Sequence, residues 1–215
     1  MARVSQEHLD ARRRQILDGA ARLFARNGFH ATSMQDVLKE VDLSAGAVYR
    51  YFSGKDELIA AIVKEVLGEI RASFEDAARQ SPPPPPDLLV GAVLGRTLRV
   101  YSALDDDGGS VFPPLVIQVW AETVRNKELA SVLEDVYTTL RESWVRAVEA
   151  YQDAGMMPAD IPADHVARTM IATVQGFIAQ QALFGPAPLE VLQDGLRALT
   201  SMPSARPATE GSQLG

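Results

Sequence analysis

Residues Ser33-Met34-Gln35-Asp36-Val37-Leu38-Lys39-Glu40-Val41-Asp42-Leu43-Ser44-Ala45-Gly46-Ala47-Val48-Tyr49-Arg50-Tyr51-Phe52, closed by Lys55-Asp56-Glu57-Leu58, decide the reading of this chain. Ser33 is followed three residues later by Asp36, a capping box with Asp in place of Glu, so a helix starts there and runs to about Val41. Asp42 falls where the chain must reverse, and Asp is one of the few non-glycine residues that enter the left-handed region readily. Ser44 then caps a second helix through Tyr51. Helices below roughly 12 residues are marginal alone in water, so packing must hold this pair. At roughly 100° per residue, Ala45, Val48 and Phe52 share the side that meets Phe24 and Val37, while Gly46, Ala47, Arg50 and Tyr51 face outward. Two short helices across a tight turn form a helix-turn-helix, an element that places its second helix against DNA.

Upstream, Ile16, Leu17, Ala20, Ala21, Leu23 and Phe24 follow amphipathic spacing from Gln15 to Ala25, with Arg12-Arg13-Arg14 in the first turns and Gly28 as a left-handed stop. Downstream, Leu58, Ile59, Ile62, Val63, Val66, Leu67, Ile70 and Phe74 make a stripe along a long helix from Lys55 to about Gln80. Pro82 to Pro86 cannot continue it and favour a stiff extended spacer. Helical patterns follow at about 87–104, 114–125, 127–154, 163–184 and 188–201, separated by Asp105-Asp106-Asp107-Gly108-Gly109, Arg125-Asn126-Lys127, Gly155 to Pro162, and Gly185-Pro186. No strand alternation occurs, so the expected class is all-α. The division reads as a three-helix head over 1–57, a connecting helix over about 55–80, a helical domain over 58–202, and a disordered Pro/Ser/Gly/Ala tail over 203–215.

The chain has 215 residues and a hydrophobic content of 47%, which excludes wholesale disorder. Its net charge of -7 argues against a nucleic-acid partner until the distribution is considered. Residues 1–60 hold nine Lys/Arg against eight Asp/Glu, whereas 61–215 hold twelve against twenty. The acidity therefore belongs to the second part, and the head can meet phosphate. With no cysteine there are no disulfides or thiolate metal sites. A charged N-terminus and the lack of any apolar run near ~18 residues argue against a signal peptide or membrane span, so a cytoplasmic location is expected. His8, His30 and His165 are scattered, and no HExxH, GxSxG or glycine-rich phosphate loop is present. Neither an enzyme nor a metal or cofactor protein is expected.

Phe24-Ala25-Arg26-Asn27-Gly28-Phe29, Thr32-Ser33, Leu43 through Phe52, and Gly54-Lys55-Asp56-Glu57-Leu58 together resemble the TetR/AcrR family of bacterial transcriptional regulators, over about residues 12–62. Two positions depart from the family pattern: Asp42 stands where Gly is usual and Leu38 where a small residue is usual. On this reading Ser33 and Ser44 offer helix N-termini to phosphate, and Tyr49, Arg50, Tyr51 and Lys55 supply hydroxyls and cations to backbone oxygens. Ala45, Gly46 and Ala47 at the tip let the helix approach base edges, where an alanine methyl can meet a thymine methyl.

The resemblance further implies that the C-terminal helices form an effector pocket and a dimer interface. Pocket candidates are Tyr101, Phe112, Gln118, Trp120, Glu122, Tyr137, Trp144, Gln175 and Phe177, which suit an apolar or aromatic small molecule. Met170, Val174, Ile178, Leu192, Leu196 and Leu199 provide surplus apolar surface for a homodimer. The implied function is a ligand-responsive repressor that binds a palindromic operator in double-stranded DNA as a dimer and leaves it when the effector binds. Activation stays open, as does a helical interaction protein whose helix-turn-helix no longer binds DNA.

Overall fold

The computed structural model describes residues 6–80, 83–102 and 110–201. Among these residues there are nine helices and no strand: α1 (Gln6–Asn27), α2 (Met34–Glu40), α3 (Ala45–Tyr49), α4 (Lys55–Ala78), α5 (Pro86–Ser102), α6 (Phe112–Thr123), α7 (Lys127–Asp153), α8 (Ala163–Phe184) and α9 (Leu189–Thr200). The chain is all-α, an N-terminal helix-turn-helix domain followed by a helical C-terminal domain. None of the described helices is long and apolar enough to cross a membrane. The Asp105–Gly109 linker and the tail from 203 lie outside the described residues.

α1 begins well before the apolar stretch that announces it. Its first turns are exposed and held by side-chain pairs, Gln6 Nε2 donating to Asp10 Oδ1 at 3.0 Å and Arg12 Nη1 to Gln15 Oε1 at 2.8 Å, which leave no apolar periodicity to read. Beyond Gln15 the stripe goes into the core, with Ile16, Ala20 and Phe24 fully buried. Gly28 ends the helix at φ 83°, where glycine carries no Cβ penalty.

Three contacts fasten the turn after α2 to α1. Gln15 Nε2 donates to the Val41 carbonyl at 2.8 Å, and Arg22 Nε pairs with Glu40 Oε1 at 2.8 Å. Gly19 lets the backbone come so close that an added Cβ would stand 2.4 Å from Val41 Cγ1. Ser33 and Asp36 form the expected capping box: Ser33 Oγ accepts from the Asp36 amide at 3.2 Å, and Asp36 Oδ2 accepts from the Ser33 amide at 2.8 Å. Asp42 takes the left-handed conformation, φ 52°, and Ser44 caps α3 by accepting from the Ala47 amide.

α3 departs from expectation in length, and this moves two side chains. The helix stops at Tyr49 instead of Tyr51, so a regular projection fails at both ends. Ala45 is exposed where it was expected to pack, and Tyr51 lies half-buried against the core where it was expected to face outward. Val48 and Phe52 are buried as the spacing requires.

α4 carries the core from head to body: Leu58 and Ile59 are fully buried at its start, and Phe74 near its end meets Trp144 edge-on at 4.9 Å. The prolines are anchored at one point, since the Tyr151 hydroxyl donates to the Pro84 carbonyl at 2.6 Å and Pro86 already opens α5, where its missing N–H costs nothing. α4, α7 and α8 pack side by side, α9 lies on α5, and α6 is wedged between α1 and α8. One apolar cluster runs from Ile16 in α1 to Leu196 in α9.

Candidate nucleic-acid interface

The surface opposite the Val48–Phe52 packing face presents Ser44, Ala45, Gly46, Tyr49 and Arg50 to solvent, with Ala47, Tyr51 and Lys55 half-buried at its edge. A Cβ added at Gly46 would meet nothing within 4 Å. Glycine therefore has no internal packing reason to occupy this helical position, although it costs up to about 1 kcal/mol relative to alanine. An external surface that must come close supplies a reason.

Besides Ser44, whose hydroxyl accepts from the Ala47 amide, two further candidates are engaged within the protein. The Ser33 hydroxyl donates to Asp36 Oδ2 at 2.6 Å, and those hydrogen bonds hold the Asp36 carboxyl below its ordinary range, so a carboxylate accompanies this helix N-terminus. Lys55 Nζ donates to the Phe29 carbonyl at 2.9 Å and sits 4.6 Å from the Phe29 ring centroid. The ammonium keeps two of its three donors for an outside acceptor. Glu57 is likewise tied down, accepting from the Ser53 amide at 2.7 Å and the Ser53 hydroxyl at 2.9 Å, which lowers its pKa. Sequence reading passed over Arg13, whose guanidinium lies 5.3 Å from the Phe52 ring centroid, just beyond the end of α3. Its place in the Arg12–Arg14 run was the available signal.

In the body, the pocket candidates fall into three groups. Phe112, Trp144 and Gln175 line a cavity of about 100 Å³, and Phe112 and Trp120 line a second of about 130 Å³. Tyr101 is buried behind Phe112, ring centroids 5.5 Å apart, and burial together with Glu65, Glu69 and Asp18 pushes its hydroxyl pKa up. Tyr137 is half-buried on α7.

The remaining candidates correct the sequence reading. Gln118 and Glu122, expected in the pocket, face the head: the Phe29 amide donates to Gln118 Oε1 at 3.4 Å, and His30 Nε2 lies 2.9 Å from the buried Glu122 carboxylate. Phe177, also expected in the pocket, floors a groove with Leu192, Leu196 and Leu199 on α8 and α9. Of the dimer candidates, Val174 and Ile178 turn inward and line the cavities, and Met170 is buried. α8 is apolar on two faces, so spacing alone does not say which one meets the core. On and just around α8 and α9 the exposed large apolar residues are Leu183, Phe184, Val191 and Leu199.

A short helix held at the surface by a fastened turn, with small tip residues, hydroxyls and a cation around it, defines a helix-turn-helix DNA-binding protein carrying a helical C-terminal body. The comparisons agree. The profile described as bacterial regulatory proteins of the tetR family matches residues 16–62, and that of the BetI-type transcriptional repressor C-terminal region matches 104–201. The chain is 30% identical over 183 residues to the HTH-type transcriptional regulator YfiR of Bacillus subtilis, covering 85% of each chain. It is 26% identical over 187 residues to the HTH-type transcriptional regulator UidR of Escherichia coli K12, covering 87% of this chain and 90% of that one. The solved structure of Salmonella enterica GusR matches at TM-score 0.68 and 26% identity over 94% of this chain and 100% of that chain. The chain belongs to the TetR family of bacterial transcriptional regulators, and is a regulator and not an enzyme.

Proposed function

We propose that the protein is a ligand-responsive repressor: a homodimer formed through α8 and α9 places two α3 helices on a palindromic operator, and a small apolar molecule bound among α4 to α8 releases it. One observation carries the reading. α6 lines the second cavity through Leu115, Val116, Val119 and Trp120, and the same helix touches the head through Gln118 and Glu122. Just beyond it, Asn126 Nδ2 donates to Asp56 Oδ1 at 2.9 Å at the start of α4. A ligand that shifts α6 therefore acts on His30, Phe29 and Asp56, residues of the head that contact α6 and the chain just beyond it.

The functional units on this reading are a head over residues 1–57 and an effector and dimerisation body over 58–202, working in the cytoplasm. Leu183, Phe184, Val191 and Leu199 supply the exposed apolar surface that a second copy would cover. The phosphate contacts are Ser33, Ser44, Tyr49, Arg50, Tyr51 and Lys55, and the base contacts are Ala45, Gly46 and Ala47.

The test is recovery of bound fragments from genomic DNA by the full chain, followed by titration of an operator with and without ligand. Reciprocal coupling requires operator to weaken ligand binding by the same factor that ligand weakens operator binding. No salt-sensitive DNA binding at low ionic strength would leave a helical interaction protein instead.

A further inference from the structure

Two of the cavities in the body share part of their lining, a waist. Ile70 of α4, Phe112 of α6 and Ile178 of α8 line both, so these three side chains stand between a lobe of about 100 Å³ and one of about 130 Å³. An apolar cavity that holds benzene measures about 150 Å³. Neither lobe reaches that size, and the two together exceed it. A slender molecule lying along both lobes therefore buries more apolar surface than a fused or branched one held in either alone.

No charged side chain lines either lobe. A carboxylate or ammonium inside would lose its water without gaining a counter-charge. Of the polar lining, the buried Thr97 hydroxyl already donates to the Val93 carbonyl at 3.2 Å. Gln175 is half-buried, lines the first lobe, and has no side-chain hydrogen bond among the described residues. Its amide offers both a donor and an acceptor to one polar group of a ligand.

Resting on the reading of the chain as a ligand-responsive regulator, we propose that the body takes an uncharged, unbranched alkyl-chain molecule with one hydroxyl or carbonyl. The chain crosses the waist past Phe112 and the polar group meets Gln175. Because Phe112 is the first residue of α6, the helix that reaches the head at Gln118 and Glu122, a chain lying through the waist bears directly on the link between body and DNA.

The chain's two tryptophans make this measurable, since Trp144 lines the first lobe and Trp120 the second. The full-length protein and its Trp120→Phe and Trp144→Phe variants are titrated by fluorescence with decanol, decanoate at pH 8 and menthol. Decanol is expected to change the emission of both tryptophans with one apparent Kd, decanoate to bind roughly tenfold more weakly or worse, and menthol to be weaker than decanol. Gln175→Leu weakens decanol several-fold while thermal stability holds. If the Trp144→Phe variant fails to fold, the wild-type signal compared with that of Trp120→Phe assigns the lobes. Equal or tighter binding of decanoate, a response from one tryptophan alone, or none from either overturns the proposal. Operator release is scored separately. Decanol that binds without releasing DNA sinks the reading of ligand-triggered release and leaves the ligand class standing. Release by a charged compound, with both tryptophans silent to decanol, does the reverse.

Discussion

Gly46→Ala should raise stability and lower DNA affinity at once. Gly46 is the second residue of α3, exposed, with open space around an added Cβ. Alanine in place of glycine favours a helix by about 0.5–1 kcal/mol, and the low end applies this close to the helix start. For a chain of this size 1 kcal/mol corresponds to roughly 2–4 °C, so Tm should rise by about 1–2 °C. Gly68, within α4 and also with nothing within 4 Å of an added Cβ, is the control and should give a gain of about 1 kcal/mol. On operator DNA the two diverge. The methyl at position 46 stands where the tip approaches base edges and should raise Kd about tenfold, equivalent to about 1.4 kcal/mol, whereas Gly68→Ala leaves Kd unchanged. The assays are calorimetric melting and fluorescence anisotropy at one fixed salt concentration. A Gly46→Ala protein that melts higher yet binds operator like the wild type would refute the assignment of Ala45–Ala47 to the bases.

Five further substitutions have expected outcomes. Gly19→Ala drives a methyl against the stiff Val41 side chain at 2.4 Å and should cost about 1–3 kcal/mol in denaturant titrations, lowering DNA binding only through folding. Glu65→Gln tests a carboxyl whose pKa is raised, first by desolvation and then by Asp18. A raised carboxyl contributes stability below its unfolded pKa of about 4.3 and loses it as pH rises, so the variant should melt above wild type at pH 8, with the gap closing near pH 4. Glu122→Gln removes the charge facing His30 and should shrink the factor by which ligand weakens operator binding, read as the ratio of Kd values with and without ligand. Arg50→Ala should lower the slope of log K against log salt by about 0.9, while Lys55→Ala should also lower Tm, because the ammonium holds the Phe29 carbonyl.

The head was legible in the sequence because its signals are local. The Ser33–Asp36 box, the left-handed Asp42, the Ser44 cap and the Gly28 stop each act within four residues, so each could be read without knowing what lies across the fold. Buried Val48 and Phe52 followed from helical spacing, but Ala45 and Tyr51 did not, since a five-residue helix ends before the spacing can run through it. Residues 6–11 have no apolar rhythm, which is why the helix reads from the arginine run onward and its start at Gln6 does not show.

In the body the sequence by itself determined that helices exist and roughly where each stops. It could not assign faces. α8 carries apolar residues toward the cavities, at Ile171, Val174 and Ile178, and toward the α9 groove, at Phe177, so only packing decides which stripe is inside. Gln118 and Glu122 looked like pocket residues because their neighbours are apolar, yet their partners Phe29 and His30 lie some ninety positions earlier in the chain. Such pairings, and the waist that Ile70, Phe112 and Ile178 make between two lobes, arise from how separate helices pack. Capping and turn preferences act over a few bonds and are written in neighbouring residues. Burial is set by whichever helix comes to lie alongside, and that was decided by the tertiary structure alone.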